Sequence, residues 1–118
     1  MEKIFIVECS PDFQLTAHSS LEKASAFAAG KENSAIVKNA STKVPKGQMF
    51  FEVEGVALGD TVHAPLFFSD MTGNSYVGGV FRTADEMSSE LRNTKKWRIS
   101  PMEKNSSGEL YKREMVLT

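Results

Sequence analysis

Cysteine is almost absent. Cys9 stands alone, so an internal disulfide and a thiolate metal cluster are both excluded. Histidine is nearly as scarce: His18 and His63 are the only two, and neither lies in a metal-binding motif. Long hydrophobic runs are missing as well. Ile4-Phe5-Ile6-Val7 near the start is too short for a membrane span or the core of a signal peptide. Glu2 does not suit N-myristoylation, and the final residues Met115 to Thr118 hold no prenylatable cysteine. Neither sign of charge dominates, with 14 Lys and Arg against 15 Asp and Glu and a net charge of −1. Whole-molecule electrostatics therefore favours neither nucleic acid nor a membrane surface. These absences lead us to expect a cytoplasmic protein with no cofactor, no bound metal and no membrane partner.

What is present points to a folded domain. A chain of 118 residues with 41% apolar and 25% charged residues is large enough for one core, so residues 1–118 read as a single α+β domain. The stretch from Gln48 to Arg82 organises the rest. Its apolar runs, Met49 to Val53, Val62 to Phe68 and Tyr76 to Phe81, are separated by the turn pairs Gly59-Asp60 and Gly73-Asn74. That punctuation predicts a β-meander of three sequential strands. Within it Met49, Phe51 and Val53 share a face opposite Phe50, Glu52 and Glu54. Val62, Ala64, Leu66 and Phe68 likewise oppose His63, Pro65 and Phe67.

Lys3 to Glu8 reads as a strand covered on both faces, ended by Pro11. From Ser20 to Ala29, Leu21, Ala24, Phe27 and Ala28 recur at helical spacing, with a serine cap before them and Gly30 placed for a left-handed C-terminal cap. Ser34 to Asn39 is a short strand and Ala40 to Gly47 a loop. Thr83-Ala84-Asp85-Glu86 is a capping box that starts a second helix, with Ala84, Met87 and Leu91 as its apolar stripe and Arg92 near its negative end. Lys96 to Ser100 reads as a strand, Lys104 to Gly108 as a polar turn, and Glu109 to Leu117 as a final strand, in which Leu110-Tyr111 and Met115 to Leu117 break the alternation. The predicted order is β-α-β-β-β-β-α-β-β. It implies a single-layer, mostly antiparallel sheet of about five to seven strands with two helices on one face; the alternative is a partly closed β-barrel with two helices.

Catalytic constellations are weak. Asp60, His63 and Asp70 could gather around a metal at the meander turns, but a partly exposed strand histidine is the commoner situation. Cys9 with His18 or His63 could pair as nucleophile and base, whereas a small buried thiol at a strand end is the simpler reading. Gly73, Gly78 and Gly79 lack the spacing and the lysine of a phosphate-binding loop. Gly78-Gly79 inside a strand instead marks a bulge, a bend, or close approach by another backbone.

Two features remain. If one face of the meander meets the helices, Phe50, Pro65, Phe67 and Phe81 face away from them, and an exposed apolar patch of that kind marks an interface. Burial of the same side chains by a curled sheet is the competing explanation. The second feature is the basic segment Arg92, Lys95, Lys96, Trp97 and Arg98, in which cations surround an aromatic ring able to stack on a base. A strand with Trp97 and Ile99 turned inward and Lys96 and Arg98 solvated is the simpler reading, because nothing elsewhere extends the basic patch. The expected function is therefore a non-enzymatic, regulatory or accessory protein-binding domain that self-associates as a homo-oligomer or docks a protein partner through its aromatic-rich sheet. Nucleic-acid binding through the segment from Arg92 to Arg98 is the alternative.

Overall fold

Ile4 and Ile6 point to one side of the first strand and Phe5 and Val7 to the other, and all but Phe5 are fully buried. A strand so covered belongs in the middle of a sheet, and that is where it lies. The computed structural model describes residues 2–10, 12–37, 49–68, 75–92 and 109–118. In it Glu2–Cys9 forms β1 and Gln14–His18 forms β2. Leu21–Ala29 is α1, Ser34–Ile36 is β3 and Phe51–Val53 is β4. Thr61–Phe68 is β5, Ser75–Val77 is β6, Ala84–Leu91 is α2 and Glu109–Val116 is β7.

The fold is α+β, with two helices and mostly antiparallel sheet among the described residues. The strands divide between two sheets and do not close into a barrel. In the first sheet β1 lies between β2 and β3 over its second half, and β4 pairs with it near its start. In the second, β5 lies between β6 and β7. The meander is corrected in the same way. Its expected first strand, β4, pairs with β1 and not with β5. Alternation specifies which face of a strand is apolar but not which strand lies beside it, and Phe51 reaches the core from beside Ile4 of β1.

That core lies between the sheets. Ile4, Ile6, Leu15, Ala17, Phe51 and Val53 from the first meet Val62, Ala64, Leu66, Val77, Met115 and Leu117 from the second. The sheets are also joined at one corner. Ala17 and Leu117 form a parallel bridge, the Thr118 N–H donates to the Ala17 carbonyl at 3.1 Å, and the Ser19 N–H donates to the Thr118 carbonyl at 2.8 Å. Elsewhere Arg113 reaches from β7 to the turn between β1 and β2. Its Nε donates to the Phe13 carbonyl and its Nη2 to that of Asp12, both at 3.0 Å.

The helices sit on different sheets. α1 touches β1, β2 and β3, and its Phe27 ring stands 5.0 Å from that of His18, on the face opposite the shared core. α2 touches β5 and buries Met87. Both starts are capped as their sequences require: Ser20 Oγ accepts from the Lys23 N–H and Thr83 Oγ1 from the Glu86 N–H, each at 3.1 Å. The end of α1 differs from expectation. Gly30 has φ −88 and stays right-handed, and the left-handed residue of this connection is Asn33 at φ 58. The third run of the meander also ends early, because β6 stops at Val77, before the two glycines, and Phe81 returns as an isolated bridge to His63.

Candidate functional site

β5 and β7 pair residue by residue, so their cross-strand neighbours share a face. On the outward face Phe67 lies beside Tyr76 on one flank and Leu110 on the other. Continuing along the pair, Pro65 is opposite Lys112, His63 opposite Glu114 and Thr61 opposite Val116. Inward, Met115 is buried against the core, as is Leu117 just beyond the strand, and Tyr111 packs on the core's edge. Outward, Leu110, Lys112, Glu114 and Val116 are all exposed. The irregular alternation of this strand in the sequence thus has a structural meaning: Leu110 and Val116 are the apolar residues that face solvent, at 43% and 56% exposure. Of the exposed large apolar residues the only others described are Leu21 and Leu58. Leu58 occupies the turn in which the Gly59 N–H donates to the Leu117 carbonyl at 2.8 Å. Exposed apolar surface therefore concentrates on and beside β7.

The four aromatic and proline positions singled out in the sequence do not share one surface. Pro65 is fully buried. Phe67 and Phe81 are half-buried on the second sheet. Phe50 belongs to the outer face of the first, its ring 6.3 Å from that of Phe5 and under the ammonium of Lys3 at 4.7 Å. Within the basic segment, Arg92 is the exposed C-terminal cap of α2; Lys95, Lys96, Trp97 and Arg98 lie outside the described residues.

The catalytic pairings fare as follows. Asp60 is engaged locally, its Oδ2 accepting from the Ala57 N–H at 2.8 Å, and Asp70 lies outside the described residues. No group of three or more His, Cys, Asp or Glu among the described residues is placed to hold a metal ion. Cys9 pairs with Gln14 and Ser34, whereas Phe5, four residues away on β1, is the residue opposite His18.

His18 lines a cleft of about 360 Å³ between β2 and β7, roofed by Phe27 and walled by Thr16, Glu114, Val116 and Thr118. The imidazole is buried and both its nitrogens are engaged. Thr118 Oγ1 lies 3.2 Å from the Ala17 carbonyl, to which only a hydroxyl proton can be donated, so the same oxygen accepts from His18 Nδ1–H at 3.3 Å. Nε2 is then left to accept from the Thr16 hydroxyl at 2.9 Å. Burial, and secondarily the nearby Lys23 ammonium, hold the imidazole pKa below its ordinary value. This is a satisfied neutral histidine tying β2 to the end of β7. Reading Gln14–His18 as a strand would have placed Thr16 and His18 on one face, but nothing local points to Thr118, a hundred positions later. Compared with protein-family models, with curated proteins and with solved structures, the chain matches none of them.

Proposed function

We propose that this chain is a non-enzymatic protein-binding domain of accessory or regulatory type, docking through the outward face of its second sheet. One observation carries the reading: Leu110 and Val116 stand exposed on β7, on the face that also carries Phe67, while the same strand buries Met115 inward. Exposed apolar side chains at both ends of one strand, with charged Lys112 and Glu114 between them, give this stripe the mixture of apolar and polar groups that protein interfaces have. The His18 cleft supports no rival reading, because the nitrogens of its imidazole are already occupied by Thr16 and Thr118.

The test is photo-crosslinking in the cells that express the protein, with a photoreactive residue at position 116 and a control at position 52. Glu52 is exposed on the first sheet, away from β7. A discrete protein adduct at 116 and none at 52 is the expected result. Absence of an adduct at 116, or the same adducts at both positions, would overturn the reading. A crosslink from 116 to nucleic acid in place of protein would move the segment from Arg92 to Arg98 to first place.

A further inference from the structure

The outward stripe of β7 runs Leu110, Lys112, Glu114, Val116: apolar, basic, acidic, apolar. Its order is complementary to its own reverse. Set against a second copy running antiparallel, the stripe places each Leu110 opposite a Val116 and each Lys112 opposite a Glu114. Every contact then occurs twice, with no like charges facing. A twofold axis requires this self-complementarity of an isologous interface, in which residue i meets j and j meets i. We infer that the partner of this face is a second copy of the same chain, the two β7 strands antiparallel with their outward faces together, centred on residue 113. The inference rests on the protein-binding reading above and names its occupant.

The surroundings suit such a contact. α2 touches β5, and the four side chains of the stripe are exposed. Arg113, at the centre of the strand, turns inward to the carbonyls of Asp12 and Phe13 and so presents no charge to its own copy across the axis. Glu114 lies opposite His63 on its own sheet and has no ion pair among the described residues, which leaves its carboxylate available to the partner's lysine. The contact is small and its ion pairs lie at the surface, where salt screens them. The expected species is a concentration-dependent dimer in the micromolar range that weakens as salt rises.

Charge reversal separates this arrangement from any other. Lys112→Glu faces two glutamates with two glutamates across the axis, and Glu114→Lys does the same with lysines, so each variant alone should dimerise at least about tenfold more weakly. Mixed in equal amounts, the two variants again oppose unlike charges at both contacts, and dimer should return. Sedimentation velocity on the native chain, each variant and the mixture reads this directly, with thermal melts confirming that all remain folded. A native chain that stays monomeric, a dimer indifferent to both reversals, or a mixture that stays monomeric would each overturn the inference. A monomer that still crosslinks from position 116 to a different protein would retire the dimer and keep the docking reading; a monomer without that crosslink would retire both.

Discussion

His18 shows how a side chain's surroundings become a property that can be measured. Its imidazole is buried between two threonine hydroxyls, and burial, with Lys23 nearby, lowers its pKa from the ordinary 6.5. Because the folded form takes up its proton at lower pH than the unfolded chain does, the unfolded state binds more protons once pH falls below about 6.5. Stability should therefore be fully present above that pH and decline as pH drops, levelling off only below the folded pKa. Denaturant unfolding followed from pH 7.5 to 5 should show this decline, and His18→Gln should be less stable at pH 7.5 while losing that part of the slope. A slope unchanged by the substitution would mean that other groups carry it. The Cys9–His18 pairing, weighed above against a plain strand-end thiol, fails at this same scale. The two residues lie at opposite ends of one strand pair, a fact set by the register between β1 and β2 and invisible until β2 is recognised.

Local chemistry determines the helices, and it was legible. Thr83 and Ser20 each accept the backbone N–H three residues on, as serine and threonine ahead of an apolar stripe should. Thr83→Ala should cost about 1 kcal/mol of stability, measurable as a lower urea midpoint with unchanged m-value; its hydroxyl makes no other contact to confound the result among those described. Strands were legible as runs and faces, and the inward sets Phe51 with Val53 and Val62 with Leu66 formed as their alternation requires. Their partners were not. β4 and β5 are neighbours in sequence but belong to different sheets, a pairing that alternation does not specify. β2 was hidden for a different reason. Its two core residues, Leu15 and Ala17, are flanked by Gln14, Thr16 and His18, and it follows a turn in which Phe13 adopts φ 55. That left-handed aromatic is held by packing at 4.8 Å on Phe68 and 5.8 Å on Tyr111, contacts made far along the chain. The outward apolar residues of β7 left a trace in the sequence as broken alternation, but deciding which of Leu110 and Tyr111 faced outward required the register with β5.

The whole molecule depends on one core shared by two sheets. Phe51, only 2% exposed, sits in that core although its strand contributes three residues. Phe51→Ala should cost about 3–5 kcal/mol, because the cavity opens between sheets that cannot both collapse onto it. A calorimetric midpoint lowered by only a degree or two would show that the sheets can close the gap. Against a total stability on the order of 5–15 kcal/mol, a loss of the expected size would leave little margin. The corner where Ala17 meets Leu117 has a consequence in time. β1 finds β4 only after about fifty residues, and β2 is tied to β7 only across a hundred. Contacts so distant in sequence make for slow folding, since long loops must close before much surface is buried. Until Met115 and Leu117 arrive, Ile6, Leu15 and Phe51 are faced only by Val62, Ala64, Leu66 and Val77, in a second sheet that still lacks β7. A chain emerging from the ribosome thus holds part of its core open to water until β7 is made, and in that interval it is most in need of a chaperone's shelter.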